Sequence, residues 1–369
     1  MTSSVLLTNT LFCGFAALLL IPLLKDPKAL IYKNGIPIYI IMGIIFLKML
    51  IPYEFSFTHT LASKNVLPVF KELFKIQVFE GITVESIFLL IWVAVSLLLF
   101  LYLVLNQWRL KKILSIVPVT KNAEINDISS ELCTQKKVQK QLRIIQIDIT
   151  ASPFIMGFHF PIIVLPTILS KEEAKFVLMH ELEHLIHNHI LIKSIIDLIA
   201  VIYWWNPIIW LLRRELLCAL ELQADIKVTQ NLSGKESLDY LETLVNVSRK
   251  GLSKTDTRLS LSFALKNSLI GYRVSTILSS NYLQKKKITS ILDICLLISS
   301  IALLLFSTGY TFEAYYPFPD TEGNVFTIDA TTDYFMLREE SLYDLYVDGD
   351  YAITFDHIPE DFSNLPVHK

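Results

Sequence analysis

Between Ser86 and Trp108 the chain carries no charged side chain. About 20 apolar residues cross the hydrocarbon core of a bilayer, where each backbone N–H and C=O must be bonded within its own segment. A run of this length therefore has one regular solution, a membrane helix. Similar runs occupy residues 4–24, 36–53 and 288–309; Lys48 lies near the end of the second, where it can snorkel to the interface, and Asp293 near the start of the last. Composition agrees, with 53% hydrophobic and 18% charged residues and a mean hydropathy of +0.49, against about a quarter charged in soluble domains. A net charge of -2 offers no basis for direct nucleic-acid binding. The four cysteines, Cys13, Cys133, Cys218 and Cys295, have no paired spacing, so they read as small buried hydrophobes.

Basic residues fix the expected orientation. Lys25, Lys28 and Lys33 follow the first run, Arg109, Lys111 and Lys112 follow the third, and Lys285-Lys286-Lys287 precede the last. Cytoplasmic flanks carry the excess of Lys and Arg, and the first run has no basic residue before it, so it reads as a retained helix and not a signal peptide. The expected organisation is three transmembrane helices over 1–108, with an outer loop at 54–84 whose 70–74 part is amphipathic. A cytoplasmic-facing domain over 109–287, a fourth transmembrane helix over 288–309 and a short extracytoplasmic tail over 310–369 follow. That tail holds 13 Asp and Glu against 2 Lys and Arg, with many aromatics, and reads as a small folded or partner-dependent unit.

Within 109–287, residues 120–142 are polar and expected to be helical toward their end. Arg143 to Thr150 alternates as a half-buried strand does, and Ile162 to Leu165, closed by Pro166, is a second short strand. Ser152-Pro153-Phe154 marks a break and Gly157 a bend. Ser170 with Glu173 three residues on is a capping box that opens a helix. Residues 190–212 hold only 15 uncharged residues in a row, broken by Asn206-Pro207 and rich in Trp, and read as a membrane-associated hairpin of two short helices. Helices are expected from Arg213 through Asp225, over 235–250 and over 264–279, with a polar loop around 251–260.

The helix opened by Ser170 carries His180-Glu181-x-x-His184. Positions four apart share a helix face, so His180 and His184 can bind one Zn2+ ion while Glu181 takes the proton from the water it activates. A catalytic zinc needs a third protein ligand. Glu221 is a candidate, with Asp225 one turn on to hold a ligating histidine from behind; His187 competes for the same role. His189 reads as a polar contact at the helix end, His159 as a turn residue and Glu183 as solvated. Arg214, Tyr272 and Arg273 are the candidates to stabilise a transition state.

Ser152-Pro153-Phe154-x-x-Gly157, Ile163-Val164-Leu165-Pro166, His180-Glu181-x-x-His184, Trp204-x-Asn206-Pro207-x-x-Trp210 and Glu221-x-x-x-Asp225 follow one another in the chain. In this order they resemble the BlaR/MecR family of bacterial membrane receptors with a gluzincin-type zinc metallopeptidase domain. The resemblance implies a mainly α membrane protein of about four transmembrane helices with an inserted α+β gluzincin-type domain. It maps the zinc ligands onto His180, His184 and Glu221 and the catalytic base onto Glu181. Strands over 143–166 would then offer a substrate peptide an edge at Ile163, Val164 and Leu165. Ala224 stands where the antibiotic receptors commonly have Cys, which leaves the ligands undisturbed. Those receptors also carry a large penicillin-binding sensor after the last helix, whereas about 60 residues follow here, without a Ser-x-x-Lys motif. Sensing of β-lactams is not expected.

The expected function is a multi-pass zinc endopeptidase of a bacterial plasma membrane that relays an outer signal by cleaving a cytoplasmic protein, such as a transcriptional repressor, and possibly itself. The alternatives are a non-enzymatic membrane receptor or scaffold, against which the intact Glu181 speaks, and a membrane quality-control protease. Expected partners are the lipid bilayer, a protein or peptide substrate and a second copy in a homodimer.

Overall fold

The computed structural model describes residues 3–368 apart from 32–34, 148–151, 253–269, 279–290, 315–331, 339–341 and 360–361, and the single positions 54, 56, 65, 80 and 348. Lys33, Lys285-Lys286-Lys287, most of the 251–260 loop and the first part of the 264–279 helix lie outside the described residues. The chain divides into two compact units, one of residues 18–40 and 96–297, the other of 1–17, 41–95 and 298–369.

Among the described residues three helices are long and apolar enough to cross a membrane: α1 (Ser3–Lys25), α5 (Val84–Ile116) and α12 (Ile291–Gly309). The apolar window of α5 is exposed along its whole length, as a lipid-facing helix requires. The expected second span contains α3 (Ile36–Leu50), a shorter apolar helix of 15 residues. Helices α7 (Lys171–Ile186) and α8 (His189–Ile202) form an apolar pair bent by 62° at the break between them, as in a broken span or a re-entrant loop.

In the unit of 18–40 and 96–297, β4 (Arg143–Ile147), β6 (Ile162–Pro166) and β5 (Phe154–Met156) form a sheet in the order β4-β6-β5, parallel then antiparallel. Side chains alternate between its faces. Ile144, Ile163 and Leu165 join the main core with α6 (Ala123–Gln135) and α7, while Ile145, Ile162 and Val164 pack with Leu114 of α5. The edge expected at Ile163-Val164-Leu165 is therefore corrected: β6 is the central strand, paired on both sides. Its unbroken apolar run is the signature of a strand buried on both faces. The outer strands are β4 and β5, and the one that borders the cleft is β5, where the sequence suggested only a break. Gly157 makes the following turn at φ +92, and a Cβ there would lie 2.6 Å from the Phe160 carbonyl oxygen. Polar residues 120–142 are helical at their start, in α6, and not toward their end.

The capping box forms as expected. Ser170 Oγ accepts from the Glu173 amide at 3.2 Å and Glu173 Oε2 accepts from the Ser170 amide at 2.9 Å. Helix α7 is then buried on almost every face, against α6, α9 (Pro207–Thr229), α10 (Gly234–Leu252) and β5. It ends at Ile186, and Asn188 follows with a left-handed φ of 55, a conformation Asn tolerates better than most side chains. The chain turns there into α8. Helices α8 and α9 pack as a pair, joined by the Arg213–Asp197 ion pair at 2.6 Å and by Trp210 Nε1 donating to the Trp204 carbonyl at 2.8 Å. Helix α9 runs unbroken from Pro207 to Thr229, so the second short helix expected before 212 and the helix expected from Arg213 are one. Residues 270–278 form α11.

In the other unit, β1 (His59–Ser63) of the 54–84 loop pairs in parallel with β7 (Tyr310–Ala314). Between β1 and α5 lie the amphipathic α4 (Val66–Lys75) and a hairpin of β2 (Gln77–Phe79) and β3 (Ile82–Thr83). The tail folds as a sheet in the order β10-β9-β8-β11 (Asp350–Phe355, Leu342–Val347, Tyr334–Arg338, Val367–His368). Phe335, Leu345 and Leu365 form its core. Lys48 does not snorkel; its ammonium donates to the Leu304 carbonyl at 3.2 Å and to Thr308 Oγ1 at 2.7 Å. All four cysteines are free, and Cys295 is exposed, not buried.

Candidate metal centre

Helix α7 supplies His180 and His184 on one face, and α9 brings Glu221 across to them. Ligand atoms of the three lie within 4.8 Å of one another. The two Nε2 atoms are 3.1 Å apart, and the Glu221 carboxylate lies 3.5 Å from each. His187, the competing candidate, turns away to the Glu183 carboxylate at 3.2 Å. Glu183 is not solvated: it is buried between His187 and Lys136.

The outward nitrogens of both histidines are held. His180 Nδ1 is 3.0 Å from the Tyr240 hydroxyl and 3.2 Å from Asp225 Oδ1. Asp225, fully buried, also accepts from Tyr240 at 2.6 Å and from Arg273 Nε and Nη2 at 2.6 and 2.7 Å. His184 Nδ1 meets His189 Nδ1 at 2.8 Å. Two inward-facing imidazole nitrogens and a carboxylate are a donor set that suits a catalytic divalent metal, and the partners behind them fix ring orientation. The residues fit zinc.

Charge distribution separates the two cleft carboxylates. Burial pushes Glu181 up to about 7, with His180, Arg273 and a backbone bond from Ile155 partly opposing it. Burial also works against ionised Glu221, but His184, His180 and Arg273 outweigh it and hold the carboxyl well below its usual range. Burial disfavours a charged His180, yet Asp225 and Glu221 overcome it and raise its pKa. Burial lowers His184. Burial against Asp225 is likewise outweighed by Arg273, which takes it down to about 2.

These groups floor a cleft of about 480 Å³ bordered by Phe154 and Ile155 of β5 on one side and Leu244 and Val247 of α10 on another. Of the other candidates, Arg273 sits behind the ligands on Asp225, with its Nη1 3.4 Å from Glu221. Tyr272 lines the cleft but donates to the Lys25 carbonyl, and Arg214 pairs with Glu215. Tyr240 and Gln223 were missed by sequence reasoning, while His189 is the polar contact at a helix end that was expected, now with His184 and Gln223 as its partners.

A helix-borne His-Glu-x-x-His with a carboxylate from a second helix, in a chain with membrane-length helices, is the arrangement of a membrane metallopeptidase site. The chain belongs to the BlaR1 peptidase M56 family, whose model matches residues 16–277. Similar curated proteins include the regulatory protein BlaR1 of Bacillus licheniformis, 31% identical over 168 residues, or 44% of this chain and 28% of that protein. The methicillin resistance mecR1 protein of Staphylococcus aureus is 26% identical over 182 residues, 46% of this chain and 30% of its own length. Regulatory protein BlaR1 of Staphylococcus aureus is 25% identical over 220 residues, 58% and 37% respectively. The chain thus spans less than two fifths of the length of these relatives.

Proposed function

We propose that this chain is a zinc endopeptidase that cleaves a cytoplasmic protein, such as a transcriptional repressor, and possibly itself, in response to a signal from outside the cell. The observation that carries the reading is the convergence of His180, His184 and Glu221 within 4.8 Å, with Glu181 beside them in an open cleft. Bound there, zinc supplies Lewis acidity that activates water and polarises a peptide carbonyl. Glu181, with a pKa raised toward neutrality, takes the proton from the attacking water and returns it to the leaving amine. A substrate lies extended along the open edge of β5, bonding its main chain to that strand. Basic flanks support a cytoplasmic-facing site and a 310–369 tail outside. The names of the relatives, a regulatory protein and a resistance protein, support a regulatory role over quality control.

The test is zinc content per chain of the detergent-purified protein, with cleavage of candidate cytoplasmic proteins by the parent and by Glu181→Gln. Bound zinc with cleavage by the parent alone is expected. Absence of zinc, or equal cleavage by both, sinks the enzyme reading and leaves a receptor or scaffold.

A further inference from the structure

One chain of buried polar groups has no part in the reaction just described. His184 Nδ1 lies 2.8 Å from His189 Nδ1, His189 Nε2 lies 3.2 Å from Gln223 Oε1, and the Tyr39 hydroxyl donates to that same oxygen at 2.7 Å. His189 and Gln223 are both buried, where a mismatched donor or acceptor is costly.

The hydrogens can be assigned from the partners. Gln223 Oε1 accepts, so the hydrogen of His189 is on Nε2 and its Nδ1 is an acceptor. His184 Nδ1 therefore carries the hydrogen between the two rings, and His184 Nε2 keeps a free lone pair facing His180 and Glu221. Reversing the Gln223 amide reverses the whole series: its NH2 would donate to His189, His189 Nδ1 would donate to His184, and His184 Nε2 would become N–H. A nitrogen in that state cannot ligate a metal. In the orientation present here Gln223 Oε1 accepts from both the Tyr39 hydroxyl and His189 Nε2, which is the productive one.

We propose that Tyr39, Gln223 and His189 are positioning residues that hold the metal ligand His184 in its ligating tautomer. The inference rests on the metallopeptidase reading above. It gives α3, an apolar helix 184 positions from Gln223 in sequence, a line to the metal centre through one phenol. Asn188 makes the relay possible, because its left-handed turn brings His189 back over His184.

The test is zinc affinity of the full-length protein, measured by competition with a chelator, together with the visible spectrum of the cobalt-loaded form. His189→Ala and Gln223→Leu are expected to weaken zinc binding by about 10–100-fold and to change the cobalt bands. Tyr39→Phe, which keeps the ring packing, is expected to act in the same direction to a smaller extent. Unchanged affinity and spectrum in all three variants overturn the relay, as does weakening confined to His189→Ala. If His189→Ala does not fold, Tyr39→Phe and Gln223→Leu decide. A parent that binds neither metal overturns the metallopeptidase reading itself.

Discussion

Glu181 and Glu221 face one cleft as the same functional group, and their neighbours give them opposite tasks. Glu221 stays ionised because two histidines and Arg273 hold it so, whereas Glu181 is carried up to about 7 by burial. Environments that push two carboxyls apart assign the base and the ligand. Glu181→Gln should therefore keep zinc and lower cleavage by about 10²–10⁴-fold, while Glu221→Ala should lose zinc and His187→Ala retain it, as metal analysis of each variant will show. The pH dependence follows with a definite sign. Protonated Glu181 cannot accept a proton, so cleavage should fall as pH drops through about 7. His180 has a raised pKa and holds a proton in the metal-free site, so ligation must expel it. Apparent zinc affinity should rise about tenfold per pH unit below that pKa, read by chelator competition at several pH values.

At the scale of elements, two short turns carry more of the site than their length suggests. Asn188 links α7 to α8 with φ 55. Asn188→Gly should leave melting temperature and zinc affinity near the parent, whereas Asn188→Ile should cost about 1–2 kcal/mol and weaken zinc binding by displacing His189. Gly157 does the same for β5. Gly157→Ala places a Cβ 2.6 Å from the Phe160 oxygen, so it should cost about 1–3 kcal/mol and impair cleavage more than zinc binding. Thermal melting with parallel zinc and cleavage assays checks both variants. Other elements were plain in the sequence: the capping box at Ser170 and Glu173 is a contact within one turn, and the uncharged stretch after Ser86 can only be a helix in lipid. Strand β5 was not, because three residues carry no readable period and its strand character comes from pairing with β6.

For the whole molecule, orientation is the quantity that labelling can measure. In a background lacking the four native cysteines, single cysteines at the exposed positions Lys28, Lys121 and Ser233 should react with an impermeant reagent only from the cytoplasmic face. Cysteines at Ala62 and His357, also exposed, should react from outside. Labelling of Ser233 from outside would mean that the 190–212 hairpin crosses the membrane. The sequence by itself determined three membrane-length helices, which rest on length and composition, and the face shared by His180 and His184, which rests on spacing along one helix. It also marked Glu221 and Asp225 as a pair. Only the tertiary structure decided that Glu221 and not His187 meets the histidines, that Arg273 and Tyr240 clamp Asp225, and that Tyr39 reaches Gln223. Those partners lie 15, 48 and 184 positions apart in the chain, and such contacts are set by how helices pack, which no local periodicity records.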